Sequence, residues 1–262
     1  MSVLLQISDP HFGTEQPLVV EALVALARQQ RPDLLVLSGD ITQRAWPAQF
    51  KLARAIMQRL GAPVLAIPGN HDIPLFDLWA RLRRPYARHI AAFGDDLEPV
   101  HASPDLLVVC VNTTRFWRHK HGEVSGLQVA RLLACAGAAQ LRVVVVHQPV
   151  AVTRAEDVPN LLRGHAAALQ RWAAAGADLV MGGHIHLPYV KALHGLARPM
   201  WAVQAGTAVS SRVREGMPNS VNLLRWGADS SPGSCVIEQW DFSAAGQVFV
   251  RAGLTELRPA RA

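Results

Sequence analysis

The sequence predicts an α/β protein of four layers, α/β/β/α, with two mixed sheets packed between outer helices. Three observations carry this expectation. Over the first two thirds of the chain, short apolar runs alternate with amphipathic segments. Such strand–helix–strand repetition implies parallel pairing with right-handed crossovers. After Gly183 the texture changes to short strand-like segments parted by turn residues, which reads as an antiparallel continuation. Finally, half of the 262 residues are hydrophobic and 18% are charged, enough to bury a sizeable core. No internal repeat, linker or low-complexity stretch interrupts residues 1–262, so a single domain is expected.

Taken in order, Val3–Ile7 is the first strand and runs into Asp9-Pro10-His11. Pro17–Arg31 is a helix, and Leu34–Leu37 is a strand ending at Gly39-Asp40. The next helix, Pro47–Leu60, opens with proline at its first position and sets Leu52, Ile56 and Leu60 on one buried stripe. Val64–Ile67 leads into Gly69-Asn70-His71-Asp72. Between 75 and 93, Leu75, Trp79, Leu82, Tyr86, Ile90 and Phe93 recur at spacings of three and four, interleaved with Arg81, Arg83, Arg84 and Arg88. The preferred reading is a helix pair over the site, kinked at Pro85, with its apolar face packed on the domain. A membrane-surface or lipid-lid role is the less favoured alternative. Arg115–His121 is a loop offering aromatic and cationic contacts. Helices follow at Ser125–Ala136 and Gly164–Ala175, around the strands Val143–Val146, which runs into His147, and Leu179–Met181, which precedes Gly183-His184-Ile185-His186. The later strands are Tyr189–Leu193, Met200–Gln204, Ser220–Leu224, Cys235–Phe242 and Gln247–Val250, with a polar turn at Gly227–Gly233.

Several functional classes recede on composition alone. No apolar run approaches the roughly 20 residues of a membrane span. The first strand begins at Val3 with polar clusters directly after it, so a cleaved leader is not expected. Cys110, Cys135 and Cys235 are widely spaced and lack a C-x-x-C pattern. Neither a disulfide framework nor a thiolate zinc site follows, and a cytoplasmic setting is the simple expectation. The net charge of +6 permits an anionic partner, but the arginines are spread along the whole chain, so no dedicated nucleic-acid surface is expected.

The five polar clusters are the informative feature. In an open α/β sheet, ligands gather outside the carboxyl ends of the strands. Individually each cluster is an ordinary polar loop; His147 after four valines could be a lone buried histidine. Together, Asp9, His11, Asp40, Asn70, His147, His184 and His186 stand at five strand ends and form a two-metal ligand set. Two divalent ions about 3.5–4 Å apart clamp the attacking and leaving oxygens of an in-line displacement. Two aspartates against two such ions, with a bridging hydroxide, leave a net charge of about +1 to attract a phosphate. The hydroxide forms near neutral pH, so no catalytic serine or cysteine is needed. The mixed nitrogen and oxygen donors suit manganese or iron first, with zinc next, over magnesium.

In these motifs the chain resembles the calcineurin-like metallophosphoesterases: D-x-H, GD, GNH[DE], a lone His and GHxH occur complete and in order. The resemblance implies the metallophosphoesterase fold. It also implies that Asp9, His11, Asp40 and His186 hold one ion, while Asp40 bridges to a second held by Asn70, His147 and His184. His71 would protonate or stabilise the leaving oxygen, with Asp72 as a supporting partner. Arg115 and Arg212 are the candidates for gripping substrate. Gly69–Pro74, with Gln204–Thr207, Ser210, Arg212 and Asn219-Ser220, looks like the bacterial class III cyclic-nucleotide phosphodiesterases. The expected substrate is therefore a cyclic nucleotide or similar small phosphodiester, cleaved by the metal-bridging hydroxide. The alternatives are a UDP-diacylglucosamine-type pyrophosphatase, a nuclease and a metal-free scaffold. Sequence does not decide the oligomeric state.

Overall fold

The structure, a computed structural model, describes residues 2–134, 141–227 and 233–260. Its first sheet is built on three parallel strands, β1 (Ser2–Ile7), β2 (Leu34–Ser38) and β3 (Val64–Ile67). A meander of β10 (Ser220–Trp226), β11 (Cys235–Ser243) and β12 (Val248–Leu257) extends this sheet antiparallel from β1. In the second sheet β5 (Leu106–Cys110), β6 (Leu141–Val145), β7 (Leu179–Gly182) and β9 (Met200–Gln204) run parallel. Two antiparallel strands, β4 (Val100–Ala102) and β8 (Tyr189–Leu193), close its edges.

Period-2 alternation along the strands creates the layers. Leu4, Leu34 and Val36 point inward and pack with Val108, Val143, Val145, Leu179 and Met181 of the facing sheet. Their neighbours Leu5, Ile7, Leu35 and Leu37 point outward onto helices α1 (Pro17–Gln30) and α2 (Pro47–Leu60). On the other side, Val109, Val144 and Val180 pack with Val129, Leu132, Leu169 and Trp172 of α5 (Gly126–Ala134) and α6 (His165–Ala174). Three apolar layers between four structural layers are what the sequence predicted.

Two features depart from expectation. The sequence reading passed over β4 and β5, although β5 is a central, fully buried strand. Its Leu-Leu-Val-Val-Cys run is short and carries no reactive cluster at its end. The segment after Gly183 is also not wholly antiparallel. Chain order there is β8 then β9, but β9 inserts between β7 and β8, so it lies parallel to β7. Cys110 and Cys235 are both buried; Cys135 and most of the expected turn at 227–233 lie outside the described residues. Among the described residues, no helix is long and apolar enough to cross a membrane.

The 75–93 segment forms two short helices, α3 (Leu78–Arg83) and α4 (Ala87–Phe93), parted around Pro85. Proline lacks the N–H needed to continue a helix and restricts the residue before it. Helix α4 is fastened to the body by His89, whose buried ring lies between Phe50 and Phe93. Helix α3 behaves differently: none of its described residues is buried. The expectation of an apolar face packed on the domain therefore fails for α3.

Candidate metal centre

The loops after β1, β2 and β3 meet those after β6 and β7, because the carboxyl ends of both parallel sets open to the same edge of the sandwich. A polar floor lies beneath them. Gln6 Nε2 donates to the Gly182 carbonyl at 3.0 Å, and Asn222 Nδ2 donates to Gln6 Oε1 at 3.0 Å. The chain is distorted above this floor. Among the described residues, eight non-glycine residues have positive φ, and five of them are Asp9, His11, Asp40, His184 and His186. Such conformations cost of order 1–3 kcal/mol each and persist only where the surroundings hold them.

Close approach also fixes two glycines. A Cβ on Gly69 would collide with the backbone nitrogen and carboxylate of Asp40, and one on Gly183 would collide with Ser8 Oγ and the Asp9 carboxylate. The glycines in G-N-H-D and G-H-x-H are thus required by packing between loops.

The seven predicted ligands come together. His186 Nε2 lies 3.3 Å from Asp9 Oδ1, and His147 Nε2 lies 3.3 Å from Asp40 Oδ1. His11 Nε2 sits 3.8 Å from Asp40 Oδ2, and Asn70 Oδ1 sits 3.3 Å from His147 Nε2. Donor atoms of Asp9, His11 and His186 lie within 4.8 Å of one another, as do those of Asp40, His147 and His184. Each triad falls within one of the two ligand groups expected from the motifs, the first without Asp40. A third triad of the same span joins His11, Asp40 and His71.

The donor set fits cations. Imidazole nitrogens face each other at 3.1 Å between His11 and His186 and at 3.3 Å between His147 and His184. The far nitrogens of His147 and His186 donate to the carbonyls of Ser38 and Arg212, at 2.9 and 2.7 Å. These contacts assign the tautomers that turn the Nε2 lone pairs inward. Electrostatics agree. Burial opposes the charge on Asp9, yet His186 and His147 hold its carboxyl down at about 2. Asp40 is held low against burial by the same kind of partner, His147 first and then His71. In return, against burial, Asp40 raises His147 to about 9 and Asp9 raises His186, while burial depresses His11 and His184 to about 3. Two buried carboxylates therefore draw positive charge into the cluster.

Asp72 does not face His71. Its carboxylate accepts from the backbone nitrogens of Ile41, Thr42 and Gly69 and from Thr42 Oγ1, at 2.8–3.0 Å. It pins the G-D loop to the G-N-H-D loop and so places Asp40, while burial pushes its carboxyl up to about 6. His71 is held instead by Gln43, whose carbonyl accepts from Nδ1 at 3.0 Å. Its Nε2 lies 3.3 Å from Nη1 of Arg212, which also donates to Gln43 Oε1 at 2.8 Å. Arg212 therefore reaches the centre itself. Arg115 is not brought there: its guanidinium donates to the carbonyls of Asn112 and Thr114 and to Gln128 Oε1. Gln43 and Arg44, which the sequence reading did not single out, line a narrow cleft beside His71 together with Arg81 of α3 and His119 of the Arg115–His121 loop. Gln43 and Arg44 lie in a loop that carries no motif that could have found them.

Comparison with known proteins agrees with this geometry. A model of the calcineurin-like phosphoesterase family matches residues 2–188. A probable cyclic nucleotide phosphodiesterase of Synechococcus is 35% identical over 80 residues, 27% of this chain and 31% of that protein. A cAMP/cGMP dual specificity phosphodiesterase of Mycobacterium tuberculosis is 27% identical over 202 residues, 70% of this chain and 61% of its own length. The matches thus span less than two thirds of either relative. A dimetal phosphatase from Danio rerio superposes with a TM-score of 0.70 over 99% of both chains at 13% identity, a likeness of fold.

Proposed function

As the chain belongs to the calcineurin-like phosphoesterase family, we propose that it is a metal-dependent hydrolase of phosphodiesters, with a cyclic nucleotide or similar small diester as the soluble substrate. The observation that carries this reading is the pair of facing imidazole contacts set against the Asp9 and Asp40 carboxylates, with His71 beside them. In it, Asp9, His11, Asp40 and His186 would hold one divalent ion, and Asp40, Asn70, His147 and His184 would hold the other. Manganese or iron suits these donors, and zinc is compatible with them. Bound there, two ions would neutralise phosphate charge and supply a nucleophile from water at neutral pH.

The chain's own residues divide the remaining work. Asp40 would serve both ion sites, and Asp72 fixes its loop. His71 stands where a leaving oxygen would emerge, with Arg212 within reach of its Nε2. With Nδ1 donating to Gln43, Nε2 accepts from Arg212 in this arrangement. A substrate phosphoryl oxygen would take over the guanidinium and free Nε2 to take up a proton from solvent and pass it to the leaving oxygen. Arg212 then acts on the phosphoryl group as well as on binding, so Arg212→Gln should lower kcat and raise KM together. Arg44 and Arg81 line the cleft beyond His71, a wall suited to the second ester substituent that a diester has and a monoester lacks.

Turnover with added manganese of cyclic nucleotides, bis(p-nitrophenyl) phosphate, p-nitrophenyl phosphate and a UDP-linked lipid tests the reading. Faster hydrolysis of diesters than of the monoester is expected. Monoesterase activity alone, or no hydrolysis with both ions bound, would overturn it.

A further inference from the structure

We propose that the face formed by α3, Phe76 and Trp46 is a docking surface for an anionic lipid bilayer, which brings a lipid-borne phosphodiester to the mouth of the histidine cluster. The proposal rests on the diester-hydrolase reading and adds a membrane-borne diester to the soluble ones named there.

The first observation is exposure. Trp46, Phe76, Leu78, Trp79 and Leu82 are each between 56% and 75% exposed. Large apolar side chains scattered singly are ordinary on a surface, but a contiguous group marks an interaction site. Leu78, Trp79 and Leu82 lie together on α3, which begins two residues after Phe76. Trp46, Phe76 and Arg44 line one outer cleft with Arg88. Phe76 lies under the Arg44 guanidinium at 5.4 Å, and Trp79 lies under that of Arg84 at 5.3 Å.

The second observation is charge. Arg81, Arg83, Arg84 and Arg88 face a single acid between residues 74 and 94, Asp77, which pairs with Arg88 at 2.7 Å. Aromatic and aliphatic side chains ringed by arginine match an anionic bilayer, whose headgroups take the cations while the apolar groups enter the acyl boundary. A second copy of the same face would set these arginines against one another, which like-charge repulsion disfavours. On a nucleic acid, Leu78 and Leu82 would find no apolar counterpart.

The third observation is continuity with the site. Arg44 lines both the outer cleft and the narrow one that contains His71, and Leu75 lines both as well. A diester headgroup rising from a bilayer under α3 would pass Arg44 and Arg81 before reaching His71. Its apolar part would stay with Phe76, Trp79 and the membrane.

Flotation of the full chain with vesicles of phosphatidylcholine, with and without phosphatidylglycerol, tests this. The protein should float with the anionic vesicles, release as salt is raised, and stay behind with phosphatidylcholine alone. Trp79→Glu and Leu82→Glu should each weaken anionic-vesicle binding by roughly tenfold or more. Arg83→Gln should weaken it about fivefold. All three variants should keep wild-type turnover of bis(p-nitrophenyl) phosphate, since none reaches the cluster. No flotation, equal flotation of wild type and variants, or equal binding to neutral and anionic vesicles would overturn the proposal. So would sedimentation of the wild type as a dimer that Trp79→Glu dissolves, which would assign the face to a second copy. Flotation without hydrolysis of any diester would instead sink the enzymatic reading and leave the docking surface standing.

Discussion

The histidine cluster and the 74–84 rim are neighbours in space and opposites in construction. In the cluster, Asp9, His11 and His147 are wholly buried, and five of its members are held at positive φ. In the rim, α3 buries none of its described residues and meets solvent with leucine and tryptophan. One region is fixed from several directions by strands, glycines and a pinned carboxylate. The other is held mainly through the latch of α4 on α2. The contrast teaches that chemistry which needs fixed geometry sits on strand ends, whereas contact with a large yielding surface is left to a short, loosely covered helix.

The sharpest way to break this contrast is at Asp40, the residue proposed to serve both ion sites. Asp40→Ala should drop turnover by about 10³-fold or more, because charge placement for the transition state goes with the ions. Metal analysis should show loss of bound manganese with little change at the rim. Retention of two ions and of activity would show that the cluster does not depend on its central carboxylate. The same site predicts a pH effect. Asp40 raises His147 to about 9, so below that pH a proton competes with the ion. Metal uptake should therefore strengthen as pH rises and should release protons, measurable by calorimetry in buffers of different ionisation enthalpy.

His71 sharpens the contrast from within. His71→Ala should keep both ions and lose about 10²–10⁴-fold in turnover, the usual worth of general acid catalysis. The loss should shrink for p-nitrophenolate, which leaves without protonation. Equal losses on good and poor leaving groups would move His71 from proton donor to ligand, as its place in a triad with His11 and Asp40 would then suggest.

These two regions also differ in how far they could be read from sequence. The cluster was legible because each ligand follows an apolar run, and strand polarity fixes where such ends point. Alternation in Val3–Ile7 and Leu34–Leu37 gave the layering for the same reason. Strand β5 was passed over because Leu106–Cys110 ends in no chemistry, and the parallel place of β9 beside β7 was not foreseen because chain order does not reveal insertion between neighbours. The rim was misread because spacings of three and four show that a helix has an apolar face without showing what the face meets. Asp72 was expected to support the site without a stated partner, and its side chain turns back to the loop of Ile41 and Thr42.

His89 tests the latch between the two regions. Burial depresses this histidine from its ordinary value to about 4, with the Ala66 carbonyl opposing. Its folded value lies below the unfolded one, so between about 6.5 and 4 the unfolded chain binds the extra proton. Stability should therefore fall as pH drops through that window, by up to about 3 kcal/mol for this group. His89→Phe should flatten the dependence in thermal unfolding monitored at several pH values. An unchanged slope would mean that α4 is not held by a neutral imidazole.

The smallest effect should come from the rim. Leu82 is 65% exposed on a helix with no buried residue, so Leu82→Ala removes little buried area. A surface change of this kind usually alters stability by no more than about 0.5 kcal/mol. Urea unfolding should show a midpoint within that range of wild type, with the soluble diester turned over at the same rate. The same substitution at Leu35, buried between β2 and the outer helices, should cost about 2–5 kcal/mol. The two leucines differ above all in what lies against them, Leu35 buried in the core and Leu82 facing solvent. A loss at Leu82 approaching that at Leu35 would mean that α3 folds down onto the body in solution, covering the face that the bilayer is proposed to meet.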